Sequence, residues 1–173
     1  MKKTIEFNPF SISSVDDAIK EFDEWSKDYD KKIDLFLEIL AKKGVEIAKL
    51  NVTSMDAIFT GELLKSITSS RKGKGCYAII SNSKHSAFAE FGTGQVGQEN
   101  PYPYPLPDGV TWNYNKGATI FEISDGQYGW YYPTKDGKWK LTQGMPARPY
   151  MYETAMELSL RTTIEETAKE VFG

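Results

Sequence analysis

From Ala18 to Ala48 the apolar residues recur in steps of three and four: Ala18, Ile19, Phe22, Trp25, Tyr29, Ile33, Phe36, Leu37, Leu40, Val45 and Ala48. One buried helical stripe requires that spacing. Ser14, followed three residues later by Asp17, approximates a capping box and marks the start. The polar cluster Lys27 to Lys32 can divide the stripe, which predicts long N-terminal helices, the firmer one running from about Asp30 to Leu50. Gly44 reads as an exposed position that lowers helix propensity without ending the helix.

The rest of the chain is punctuated differently. Thr60 reads as the N-cap of a short helical turn through Ile67, and Ser69 to Gly75 as a polar, basic loop. Cys76 to Ser81 is the best buried-strand candidate. Four short β-prone segments follow, Val110–Tyr114, Ala118–Ile123, Tyr128–Tyr132 and Lys138–Thr142, separated by Asn-Lys-Gly and two Asp-Gly turn signals. The alternating prolines between Asn100 and Asp108 lack the ladder donor, so that run is an extended surface loop. Pro149 opens a final helix whose face is Met151, Ala155, Leu158, Ile164, Ala168 and Val171. The expected fold is α+β, with long helices at the start and a helix at the end packed on a small, mainly antiparallel sheet that carries an aromatic hairpin insertion.

Size and charge narrow the function. A chain of 173 residues is one domain. Area scaling expects roughly 8,500 Å² of folded surface against roughly 28,000 Å² unfolded, about 70% buried. One cysteine and one histidine exclude a disulfide framework, a cysteine-rich zinc site and most histidine-based metal chemistry. No apolar run exceeds five residues, and Glu6, Asn8 and Pro9 interrupt any leader, so a soluble protein of a reducing compartment is expected. With 21 basic and 24 acidic residues, and no strongly basic segment, the chain is a poor candidate for gripping phosphates.

Catalytic signals are weak. His85 lies in a polar turn with no partner nucleophile or carboxylate in any recognisable pattern, so an exposed loop histidine is the better reading. Cys76 reads as a small buried hydrophobe. Asp16-Asp17, Asp23-Glu24 and Glu165-Glu166 read as solvated helix faces. Gly92-Thr93-Gly94 with Gly97 lacks the lysine of a phosphate loop and the spacing of a dinucleotide fingerprint. The segment holding Trp130, Tyr131, Tyr132 and Trp139 resembles one unit of the choline- and cell-wall-binding repeats, whose aromatics cage ligands. A single unit is more often an aromatic hairpin packed on its own domain. Tyr102 and Tyr104 of the proline loop either meet a partner or merely cross the surface.

Three blocks in order carry a family resemblance: Phe59 to Ile67 (Phe-Thr-Gly-Glu-Leu-Leu-Lys-Ser-Ile), Ala87 to Gly94 (Ala-Phe-Ala-Glu-Phe-Gly-Thr-Gly) and Gly144 to Met151 (Gly-Met-Pro-Ala-Arg-Pro-Tyr-Met). Over about residues 30–173 they resemble the tailed-phage family named for gene product ten of phage HK-ninety-seven. Residues 1–29 are then an N-terminal helical extension, and 95–143 a long variable region. Tyr150 stands where the family usually has phenylalanine, and Asp56 to Phe59 replaces its Pro-x-Asp. The resemblance implies a non-enzymatic, cofactor-free head–tail joining, neck or tail-completion protein. It would be assembled in the bacterial cytoplasm into the virion as a ring, in contact with other neck and tail proteins. It marks Thr60, Gly61, Leu63, Ser66, Ile67, Glu90, Phe91, Gly92, Thr93, Gly94, Pro146, Arg148, Pro149 and Met151 as structural or interface positions. Gly92 and Gly94 are expected to allow sharp reversals, and Glu90 to pair with Arg148 within a subunit or across the ring. DNA would pass the near-neutral wall without specific binding. The alternative is a carbohydrate or cell-wall binding module using Trp130, Tyr131, Tyr132 and Trp139.

Overall fold

One uninterrupted helix, α1 (Ile12–Ser54), carries the molecule. It is about 65 Å long at 1.5 Å per residue. The computed structural model describes residues 3–57, 61–115, 120–134 and 136–173. The Lys27–Lys32 cluster does not break α1. Apart from the half-buried Lys32 its polar side chains are exposed, and Asp30, with Asp34 beyond the cluster, anchors a hairpin to the helix. The start also lies earlier than the capping-box reading: Ser11 is the N-cap and accepts the Ser14 N–H at 3.4 Å, while Ser14 Oγ accepts the Asn8 N–H.

After α2 (Glu62–Ser66) the chain forms the antiparallel pair β1 (Ile67–Gly73) and β2 (Cys76–Ser81). The predicted basic loop is therefore a strand. Its composition is that of an edge, polar and lysine-bearing beyond the buried Ile67. Arg71 reaches Asp34 at 2.9 Å and Lys74 reaches Asp30 at 2.6 Å, fixing the hairpin end to α1. Cys76 sits at that end and is exposed, not buried. The predicted strand at Cys76 to Ser81 forms, but only half-buried.

Two short helices follow, α3 (Ser86–Phe91) and α4 (Gly94–Glu99), which the sequence reading did not foresee. The proline loop is irregular as expected. Val110–Tyr114 forms no strand, because Trp112 and Tyr114 point back to the second block instead of pairing. The variable region then makes its own antiparallel sheet in the order β3 (Phe121–Ser124), β4 (Gln127–Pro133), β5 (Trp139–Thr142). Asp125 and Gly126 both take positive φ, 45° and 79°, the hairpin geometry an Asp-Gly pair favours. Ala118, with the Lys116-Gly117 turn signal, lies outside the described residues, as does Thr60, the expected N-cap. Gly61, at φ 73°, holds the position before α2.

The two-residue strand β6 (Gly144–Met145) leads into α5 (Tyr150–Leu158) and α6 (Arg161–Phe172). The single C-terminal helix expected from periodicity is thus two. Leu160 turns extended (ψ 133°), and the Ser159 hydroxyl donates to the Met156 carbonyl at 2.7 Å. The break lets α6 return along α1, where Thr167, fully buried, receives Lys43 Nζ at 2.9 Å. The described fold is α+β.

The core lies on the C-terminal half of α1. Ala41, Gly44, Ala48 and Val52 form its buried face, and Ala48 and Val52 meet Leu63, Ile67, Ala89 and Tyr150. Side chains such as Val52, Leu63 and Ile67 each contribute about 1.5–3 kcal/mol by burial. Gly44 is buried, contrary to expectation. A Cβ there would run into Ile79 Cδ1 and lie 2.6 Å from Leu158 Cδ1. The helix gives up propensity at this point so that β2 and α5 can close on it. Gly44→Val therefore lowers stability by about 1–3 kcal/mol through overpacking, read as a lower urea midpoint. Gly44→Ala changes it less, since about 1 kcal/mol of helix propensity offsets the crowding.

Candidate functional site

The three sequence blocks meet at one junction. Arg148 N–H donates to Ala89 O at 2.8 Å, joining the third block to the second. Arg148 Nε donates to Met55 O at 2.7 Å, holding the end of α1 just before the first block. Leu63 and Ile67 of the first block enter the core beside Ala89 and Tyr150, while Met151 packs on its edge. Ser66 Oγ lies 3.2 Å from Ser81 Oγ, tying α2 to the end of β2.

Glu90 does not pair with Arg148 within the chain. Its carboxylate faces the first turn of α5, accepting Met151 N–H at 2.9 Å and Tyr152 N–H at 3.1 Å. These are donors without intrahelical partners, at the positive end of the helix dipole. Pro149 has no side-chain cap to offer, so Glu90 supplies it from another segment. Sequence reasoning missed this because a cap from sixty residues away leaves no local signature. Burial pushes the Glu90 carboxyl above its usual range. The two backbone bonds pull the other way, and Glu153 adds to the rise.

Gly92, Gly94 and Gly144 take φ of 82°, 64° and 103°. The first two permit the reversals expected after Phe91, and they also serve a close backbone crossing. Thr93 bridges Met145 and Gly94 bridges Gly144. A Cβ on Gly92 would stand 2.8 Å from Ala147 N, and one on Gly97 2.9 Å from the Gly92 carbonyl carbon. The glycine pattern that faintly suggested phosphate binding is consumed by this crossing. Pro146 lies within the crossing segment and is half-buried. Thr93 Oγ1 is buried with no partner among the described residues.

The proline loop is packed rather than free. Tyr102 meets Phe91 edge-on at 4.9 Å, and Tyr104 stacks on Tyr152 at 3.8 Å with its hydroxyl on Glu153. Trp112 Nε1 donates to Gly92 O at 2.9 Å and its ring contacts Phe88 and Phe91. Burial, and then the Glu90 charge, push the Tyr102 phenol up to about 12.

The aromatic hairpin does not build the four-ring cage. Trp130 and Tyr132 lie on one face of β4 and Tyr131 on the other, where it stacks on Phe121 at 5.5 Å. Trp139 is 67% exposed on β5, opposite Pro133. Trp130 instead joins Tyr128, Gly94, Gln95, Gln98, Asn115 and Ile120 around a cleft of about 490 Å³. Gln95 spends its oxygen on Tyr128 N–H and its amide on Glu99. Among the described residues the cleft lining contains no charged side chain. His85 is exposed at the start of α3, and among the described residues no three metal-ligating side chains converge.

Among the described residues no helix is long and apolar enough to cross a membrane. Comparison of the chain with models of known protein families, with curated proteins and with solved structures returns no match.

Replacing Glu90 isolates the junction. Glu90→Ala leaves two helix N–H groups unpaired in a buried setting and costs about 2–4 kcal/mol, measured by urea unfolding. Glu90→Gln keeps one acceptor and loses less. A carboxyl raised by folding holds its proton more tightly in the folded state. Its contribution is therefore complete below the unfolded pKa and is lost as pH rises through the folded one. Wild type should thus gain on Glu90→Gln when pH falls from 7 to below 4.5, the usual carboxyl value.

Proposed function

We propose that this chain is a structural subunit of the head–tail junction of a tailed phage or prophage. It would be a neck or tail-completion component, without catalysis or cofactor, that assembles with copies of itself and with other neck and tail proteins in the virion. The observation that carries an assembly role is surface. The chain exposes 11,828 Å², against roughly 8,500 Å² for a compact monomer of its mass. About 58% of the unfolded surface is buried instead of the expected 70%. The excess of roughly 3,300 Å² exceeds a standard interface of about 1,600 Å² and suits a subunit covered on more than one side. The identity of the assembly rests on the three-block resemblance. Its blocks, distant in sequence, form the contacts on which the junction closes, as parts of one motif would.

Joining is tested with a stop codon in this gene and electron microscopy of the induced lysate. DNA-filled heads beside detached tails are the expected result, and overlong tails would move the role to tail termination. Intact infectious particles would overturn the reading.

The uncharged lining that the described residues give the cleft favours a second reading, a neutral glycan site. Trp130 and Tyr128 can stack on a sugar face, and the Gln98 and Asn115 amides can meet hydroxyls. Under it, chitotriose or maltotriose at millimolar concentration quenches tryptophan fluorescence, and Trp130→Ala removes the response. An unchanged spectrum with both sugars rejects the site.

A further inference from the structure

The amino-terminal half of α1 is clothed on one side only. Residues 3–10 lie back against it, with Lys3 Nζ 3.6 Å from Glu21 and the Asn8 N–H on Ser14 Oγ. Farther along, Phe172 of α6 meets Tyr29 and Phe36 at 5.8 and 6.2 Å. A stripe stays uncovered. Phe10 is 97% exposed, Ile12 84%, and Ile19 and Phe22 55% each. Ile12, Ile19 and Phe22 are separated by seven and three residues, which sets them on one helical face.

The flank of that face is acidic. Asp16 and Asp23 each follow an isoleucine of the stripe by four residues and stand beside it. Neither is in an ion pair among the described residues. Residues 12–30 hold seven acidic and two basic side chains, whereas 31–54, the packed half, hold five basic and three acidic. In heptad terms Ile12 and Ile19 occupy one core position and Phe22 the other. Asp16, Asp23 and Asp30 occupy a flanking position that sets partner choice between paired helices.

A second copy is the wrong occupant. Paired antiparallel, the stripe would set the Asp16–Asp23 rail against its own counterpart. Paired parallel, it would set Asp23 against Ala18 and Asp30 against Trp25, neither of which supplies a cation. We propose that Ile12, Ile19 and Phe22, with the Asp16–Asp23 rail, are the docking seam for one α-helix of a different protein whose own apolar seam is edged by lysine or arginine. The seam does not depend on the joining role; within that role the partner is another virion protein.

The test uses the full chain and two synthetic three-heptad helical peptides with identical leucine seams, one edged by lysine and one by glutamate, in fluorescence anisotropy. The lysine-edged peptide binds, more weakly as salt rises, and the glutamate-edged peptide binds at least about tenfold less well. Ile12→Ser with Ile19→Ser, both at exposed positions, weakens binding by about tenfold or more while thermal unfolding is unchanged. Asp16→Lys with Asp23→Lys reverses the preference between the peptides. Failure of both peptides to bind, equal binding of the two, or indifference to the isoleucine changes overturns the proposal. So does a wild-type dimer in sedimentation that the isoleucine changes dissolve, because the occupant is then a second copy.

Discussion

The carboxylate of Glu90 on the first turn of α5 is the contact on which the rest of the molecule depends. α5 begins after Pro149, which offers no cap of its own, and its leading N–H groups are turned toward the core. Without an acceptor there, Tyr150 and Thr154 could not be buried, because the helix start would carry unsatisfied donors into an apolar setting. Glu90 is itself costly to bury, as its raised pKa records. The two backbone bonds and the helix dipole offset that cost, and the result ties α3 to the start of α5. Arg148 then ties the same turn to the end of α1 through Met55. One acid and one base thus join three segments without touching each other.

Within the subunit, the expected Glu90–Arg148 pair was right about place and wrong about partner. Opposite charges in two adjoining blocks invite pairing on paper, but backbone donors and acceptors at helix ends compete for the same side chains. They prevail when the backbone has no other way to be satisfied. The same physics explains other differences. Periodicity marked α1 and the C-terminal region as helical but not which side is buried throughout: Ile19, Phe22, Ala155 and Ile164 of the expected faces are exposed, while Thr154 and Thr167 are buried in α5 and α6. It could not show that Leu160 turns extended, because a one-residue break leaves the apolar spacing almost intact. The strand β1 was hidden because an edge strand tethered by Arg71 and Lys74 has the composition of a loop. Both Asp-Gly turns were legible, as turn chemistry is local. The junction glycines were legible as reversals but not as a backbone crossing, which exists only once segments fifty residues apart meet.

Of the candidate sites, the cage of Trp130, Tyr131, Tyr132 and Trp139 was an inference from density of aromatics along the chain. Strand alternation undoes it, placing neighbours on opposite faces. The cleft that does form takes Trp130 and adds Gln98, which has no sequence signal, and Asn115, legible only as part of a turn. Tyr102 and Tyr104 have their rings engaged with Phe91 and Tyr152, yet both stay half-exposed.

What distinguishes this chain is the mismatch between the two halves of α1. The half from Ala41 to Val52 is narrow, with alanine and glycine on its buried face, so neighbouring elements approach closely and the core closes without help. The other half is broad and aromatic, flanked by aspartates, and only partly covered by residues 3–10 and Phe172. Beyond the contacts with residues 3–10 and Phe172, the first eighteen or so residues of so long a helix add little packing, cost conformational entropy and leave apolar side chains in water. Their order is maintained by helix propagation from the packed half and by the Ser11 cap. A helical arm with an apolar stripe and a single-signed rail is therefore a surface formed in advance. It lowers the ordering cost of association for whatever helix it meets, and its charge restricts which helices those are.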